Sequence, residues 1–130
     1  MSKKLLLAIG AVASIAAADA FAAEKKIVTL QRTPIQVVEF PEGYTTTTAH
    51  ATLPPGCSGR HTHPGIDVGY VLEGDIILKI DGKPDQVFKA GQSFVTLPGI
   101  VHEACTDGGF KIMSTYVMER GKPLATQVPQ

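Results

Sequence analysis

Hydrophobic and polar residues alternate, or form short apolar runs, along most of the chain after residue 26. Eight of these runs are rich in Val, Ile, Thr, Tyr and Phe: Ile27–Leu30, Ile35–Phe40, Tyr44–Leu53, Ile66–Leu72, Asp75–Ile80, Gln86–Lys89, Ser93–Leu97 and Phe110–Met118. The breaks between them contain turn-forming residues, as in Pro41-Glu42-Gly43, Glu73-Gly74 and Asp107-Gly108-Gly109. Short strands at this spacing indicate an antiparallel barrel or sandwich. Since no segment after residue 22 sustains a helical apolar period, the sequence predicts a single all-β domain.

The first residues have a different pattern, with basic residues before an apolar run at Leu5–Ala18 and small residues after it. This order is typical of a secretory signal peptide, and Ala20-Phe21-Ala22 predicts cleavage after Ala22. A core helix or a membrane anchor is the alternative, but the run is shorter than the roughly 20 residues that span a bilayer. We therefore expect removal of residues 1–22, a mature protein of residues 23–130 in the periplasm or secreted, and no membrane association after cleavage.

Composition and charge narrow the function classes. Hydrophobic residues make up 44% and charged residues 18% of the 130 residues, which favours a folded protein over a disordered one. Twelve basic residues balance 12 acidic ones, so no basic excess is available for phosphates and we expect no nucleic-acid partner. After export, Cys57 and Cys105 would lie in an oxidising compartment, where a pair of thiols tends to form a disulfide. Buried free thiols and thiolate metal ligands are the alternatives.

Three of the four histidines fall in two short segments that offer metal ligands. His61 and His63 are two residues apart, so on an extended segment they face the same side, and Asp67 has the same parity. His102 supplies a third imidazole. Imidazoles with a carboxylate suit one divalent transition metal, such as iron, manganese, nickel or zinc. A solvated His-x-His pair without metal is the alternative, because short motifs of this kind have many false positives.

Two motifs in order connect these segments to a known family. The segment Gly59–Gly74 contains His61-Thr62-His63 and ends in Tyr70-Val71-Leu72-Glu73-Gly74, and it resembles the first motif of the cupin family. The segment Ala90–His102 contains a glycine, a short strand, Pro98-Gly99 and a final histidine, and it resembles the second motif.

The resemblance to cupins implies a double-stranded β-helix, or jelly-roll, barrel with a metal ion inside. The sequence itself predicts a core at about residues 34–119 and a tail at 120–130 that is loose or lies along the surface. By position, the imidazole ligands are His61, His63 and His102, and Asp67 stands where the family usually has Glu. Because Asp is one methylene shorter, the number of ligands stays open.

A cupin with such a site implies a small-molecule ligand or substrate. The leading hypothesis is an exported metal-dependent cupin, similar to oxygenases of the quercetin-dioxygenase type. A binding or sensory module with a structural metal is the alternative, and a pocket that no longer binds metal is a third. The family also implies a homodimer, formed through sheet edges. If His61 and His102 converge on one ion, their segments are neighbours, which predicts a disulfide between Cys57 and Cys105.

Overall fold

The computed structural model describes residues 24–130, so the expected signal peptide lies outside the described residues. These residues form ten strands: β1 (Gln31–Val38), β2 (Tyr44–Leu53), β3 (Gly56–Cys57), β4 (His61–Thr62), β5 (Gly65–Ile80), β6 (Gln86–Lys89), β7 (Ser93–Thr96), β8 (His102–Thr106), β9 (Phe110–Glu119) and β10 (Thr126–Gln127). The all-β prediction is confirmed. Within the described part of the chain, no helix has the length and apolar character needed to cross a membrane.

The longest strand, β5, belongs to both halves of a curled antiparallel sheet. Its first half pairs with β9 and β7, and its second half pairs with β8 and β6. The strand order is β1-β2-β9-β5-β8-β4-β10, with β3 added on β8. Because one strand passes from one half of the sheet into the other, the two halves face each other and enclose a core, as in a jelly roll.

The structure corrects the predicted turn at Glu73-Gly74, because β5 runs through it without a break. The ladder with β9 instead shifts register between Val71 and Glu73, and Gly74 has a φ of +75°. A Cβ on Gly74 would lie 2.1 Å from the Gly109 carbonyl oxygen, so only glycine allows this approach. A bulge followed by a glycine bends a strand without ending it, which is how β5 joins the two halves of the sheet.

Three further segments differ from the sequence prediction. The run Ile27–Leu30 is not a strand and contributes a single bridge, from Ile27 to Cys57. The first long strand begins at Gln31 instead of Ile35, and it tolerates Pro34 because β1 is an edge strand with a register shift at that position. The tail was expected to be loose or to lie along the surface, but it contains β10, which pairs with β4.

The core lies between the two halves of the sheet, on the inward-facing side of strands whose burial alternates. In β9, every second residue from Phe110 to Met118 is buried, as the pleat of a half-buried strand requires. The main apolar cluster includes Leu53, Val71, Ile76, Leu78, Phe94 and Ile112. A smaller cluster contains Ala49, Tyr116 and Met118. The buried histidines share one cavity with residues from both clusters, so the site lies inside the barrel.

Candidate metal centre

Strand pairing brings the three predicted histidine ligands together. His61 in β4 and His102 at the start of β8 are direct partners across the antiparallel pair, so their side chains point the same way. His63, two residues after His61, returns to the same side. All three side chains are buried, their ring centroids are 4.3 to 5.0 Å apart, and their ligand nitrogens lie within 4.8 Å of one another.

The backbone fixes the orientation of each imidazole. Each Nδ1 lies at hydrogen-bonding distance from a carbonyl oxygen: that of Gly59 for His61 (2.9 Å), of Leu124 for His63 (2.6 Å) and of Ile100 for His102 (2.9 Å). A carbonyl oxygen only accepts, so Nδ1 must donate its proton in each case. The neutral rings therefore keep an unprotonated Nε2, which is the nitrogen that a metal ion needs.

Burial keeps these rings neutral. It lowers the pKa of His61 to about 4 and that of His63 to about 3, against the ordinary 6.5, although the backbone hydrogen bonds oppose the shift. Burial also lowers the pKa of His102. Three neutral imidazoles inside a low-dielectric cavity are a poor site for protons and a good one for a transition metal, which competes with protons for the same lone pairs. The residues present therefore fit the divalent ion that the family implies.

Asp67 lies at the side of this group and not within it. Its Oδ2 is 4.0 Å from His63 Nε2, but its carboxylate does not join the three imidazoles in the group whose ligand atoms are mutually within 4.8 Å. Its Oδ1 is buried without a hydrogen-bond partner among the described residues. Burial raises the pKa of Asp67 to about 6, and Arg32 opposes that rise. Direct coordination by Asp67 stays a prediction.

Two cavity residues were not predicted as site residues. Tyr116 in β9 is opposite Asp67 in the strand register, and its ring centroid is 5.7 Å from that of His63. Arg32 reaches the cavity from β1, and its Nε donates a hydrogen bond of 3.1 Å to the Tyr116 hydroxyl. The inward position of Tyr116 could have been predicted weakly from the sequence, because the alternation along β9 places it on the buried face. Nothing in the sequence predicts the inward position of Arg32, since the rest of β1 is exposed.

The space beside the imidazoles is narrow but opens outward. The inner cavity has a volume of about 20 Å³, which is room for about one water molecule. A groove of about 350 Å³ lies outside it, along the segment before β1. The two spaces share Leu30, Arg32 and His61 as walls, so these three residues lie at the boundary between them.

The disulfide expected from the sequence is present in the structure. Cys57 and Cys105 are direct partners in the β3–β8 pair and form a disulfide, which ties β8 to the segment that precedes β4. Their sulfurs also lie close to the Glu103 carboxylate. Disulfide sulfurs are not thiolate ligands, and Glu103 forms an ion pair with Lys25, so this second cluster is structural.

Comparison with known proteins agrees with this architecture. The profile of the cupin domain matches residues 49–116, just over half of the chain, and the protein belongs to the cupin family. No curated protein is significantly similar to the chain.

Three solved structures illustrate the likeness. A cupin-like protein from Thermotoga maritima superposes with a TM-score of 0.64 and 19% identity, over 78% of this chain and 77% of that one. DMSP lyase DddQ from Ruegeria pomeroyi gives a TM-score of 0.62 and 13% identity, over 77% and 52% of the two chains. An oxalate oxidase gives 0.56 and 23% identity, over 65% and 46%. At these identities the likeness establishes the fold alone.

Proposed function

We propose that the protein is an exported cupin that holds one divalent transition-metal ion with His61, His63 and His102 and acts on a small molecule as an oxygenase. The main support is that each imidazole is already oriented by a backbone carbonyl with Nε2 unprotonated. Ligands that are held in this way need little reorganisation when an ion binds. When bound, the ion would supply Lewis-acid or redox chemistry, while the chain orients the ligand and limits water.

Metal content is the first test. Protein purified from the exported fraction should contain about one transition-metal ion per chain, as measured by elemental mass spectrometry. The His102→Ala variant should lose most of the metal, because it removes one of three ligands. The matched control is His50→Ala, since His50 is exposed on β2 and should not affect binding. Full occupancy in the double variant His61→Ala, His63→Ala would refute the site.

Oxygen consumption tests the reaction class. The metal-loaded protein should consume oxygen with at least one compound from a panel of phenols and 1,3-dicarbonyl compounds, and His102→Ala should not. If the wild type holds its metal but consumes no oxygen across the panel, the oxygenase proposal is wrong while the metal site stands.

The narrow inner cavity favours a second candidate function, a binding or sensory cupin whose metal is structural. Its volume of about 20 Å³ leaves little room for a substrate beside the ion. In that case a ligand would occupy the outer groove without turnover. Ligand binding by the loaded protein without oxygen consumption or a product would support this candidate.

Export is supported by the disulfide between Cys57 and Cys105, because disulfides persist mainly in oxidising compartments. We expect the protein in the exported fraction to begin at Ala23, and mass spectrometry of the N-terminal peptide measures this. Exported protein that still contains residues 1–22 would contradict the predicted cleavage.

A further inference from the structure

Arg32 brings a positive charge to the mouth of the metal cavity. In the β1–β2 register it is opposite Ala51, which is fully buried on the inner face of β2, so the Arg32 side chain points inward. It is the one β1 residue that is not exposed. Its guanidinium carbon lies 5.8 Å from the centre of the Tyr116 ring, and its Nε donates to the Tyr116 hydroxyl. The guanidinium is therefore held at the boundary between the cavity and the groove.

Asp67 lines the same inner cavity as Arg32 and interacts with its charge, but no carboxylate of the described residues forms an ion pair with Arg32. The two other arginines of the chain both form ion pairs, Arg60 with Asp81 and Arg120 with Glu39. Among residues 24–130, no carboxylate oxygen lies within 4.0 Å of the Arg32 side-chain nitrogens. A half-buried cation loses hydration, and a protein compensates this loss with an anion. Here no carboxylate of the described residues makes that direct pair, so the guanidinium can pair with an anion from outside.

The outer groove beside the cavity is also positive, because Arg32 is among the side chains that line it. The walls of the outer groove are Ile27, Val28, Thr29, Leu30, Arg32, Ser58, His61 and Gln127. They include no acidic residue, and Arg32 is the single lysine or arginine among them. A low-dielectric groove with one cation at its inner end attracts a small anion.

Tyr116 adds a second donor at the same place. Its hydroxyl accepts from Arg32 Nε, so its own proton is free to point toward a ligand. The free amino groups of a guanidinium match the two oxygens of a carboxylate. Together these donors select a planar anion over a neutral molecule.

We propose that the small molecule bound at this centre is an organic carboxylate. Its carboxylate group pairs with Arg32 at the boundary between the groove and the cavity, while its other end reaches the ion held by the histidines. The groove volume of about 350 Å³ lies at the lower end of the range for small-molecule pockets, which fits a compact acid. This inference rests on the proposed metal site for the second contact. The contact with Arg32 does not depend on the metal.

The test uses glycolate and glycolamide, which have the same size and differ in charge. Binding to the metal-loaded protein is measured by calorimetry, and binding to the metal-free protein by ligand-observed NMR. Wild type should prefer glycolate. Arg32→Gln should keep the metal content of the wild type, weaken glycolate binding about 10- to 100-fold and leave glycolamide binding unchanged, as expected for the loss of a charge-assisted hydrogen bond.

Two variants control for charge and folding. Arg32→Lys keeps the charge without the two-pronged geometry, so it should retain part of the preference for glycolate. Arg120→Gln removes an arginine that pairs with Glu39 at the surface and should behave as wild type. Unchanged glycolate binding in Arg32→Gln, an equal loss for both probes, or no preference in the wild type would overturn the proposal. A wild type that binds no metal but shows the preference through Arg32 would refute the metal site alone.

Discussion

Acidification should destabilise the metal-free protein, because folding holds three imidazoles in a cavity that disfavours their charged form. A histidine whose pKa is lowered on folding binds protons more readily in the unfolded chain. Its contribution to stability is therefore complete above the ordinary pKa of 6.5 and is lost as the pH falls toward the folded-state value. For His61 and His63 that value is about 4 and about 3, and burial lowers the pKa of His102 as well.

Asp67 has the opposite effect on the pH dependence of stability. Burial raises its pKa from 3.8 to about 6, so between these values the folded protein holds a proton that the unfolded chain releases. Between about pH 6 and pH 4, unfolding takes up about two protons at His61 and His63 and releases about one from Asp67, and His102 adds to the uptake. A net uptake of one proton or more gives a slope of at least about 1.4 kcal/mol per pH unit. Since small domains are stable by about 5–15 kcal/mol, the metal-free protein should lose a measurable part of its stability between pH 6 and pH 4.5.

The measurement is urea unfolding of chelator-treated protein at several values between pH 7.5 and pH 4.5. His63→Ala should reduce the slope by about 1.4 kcal/mol per pH unit, which corresponds to one proton. His50→Ala should leave the slope unchanged, because this side chain is exposed. A stability that does not vary with pH in the wild type, or equal slopes in wild type and His63→Ala, would refute the reasoning.

Two other predictions concern the cross-link and the displaced carboxylate. Replacing Cys57 and Cys105 by Ala should lower the free energy of unfolding by about 4 kcal/mol, as expected for a sequence separation of 48, and wild type in reductant should match it. A urea-unfolding loss below about 1 kcal/mol would contradict this. Asp67→Ala should cost less metal affinity than His102→Ala in competitive chelator titrations, and Asp67→Glu should tighten binding. An equal loss of metal in Asp67→Ala and His102→Ala would instead make Asp67 a full ligand.

The sequence predicted those strands best whose surroundings resemble a simple half-buried sheet. The bounds of β2 and β6 agree with the predicted runs Tyr44–Leu53 and Gln86–Lys89, because turn residues flank both. Strand β8 was not predicted, since all five of its residues, His102–Thr106, are buried and no alternation marks it. The alternation of hydrophobic and polar residues reflects which side chains face solvent. A strand that is buried on both faces therefore has little alternation to detect.

The candidate metal centre also has features that the sequence predicted and features that it did not. The histidines could be predicted because their spacing places them on one face and because two motifs enclose them. The fixed orientation of His63 could not, since the carbonyl that holds it belongs to Leu124 in the tail, 61 residues further along the chain. That contact depends on the pairing of β10 with β4, which joins two residues of each strand and leaves no periodic trace. Carbonyls two residues before His61 and His102 orient those rings, whereas chain topology orients His63.

The positions of Asp67 and Arg32 both favour an anionic ligand in the cavity. Ligands of one ion, at about 2.0–2.2 Å each, lie within about 4.4 Å of one another, and Asp67 does not meet that limit for all three imidazoles. If the backbone of β5 does not move, the ion keeps one more position for an outside ligand. An ion held by three neutral imidazoles also retains more positive charge than one that binds a carboxylate directly. Both effects favour an anionic ligand over a neutral one, and Arg32 lies at the boundary of the same cavity, where we propose that the carboxylate of this ligand pairs.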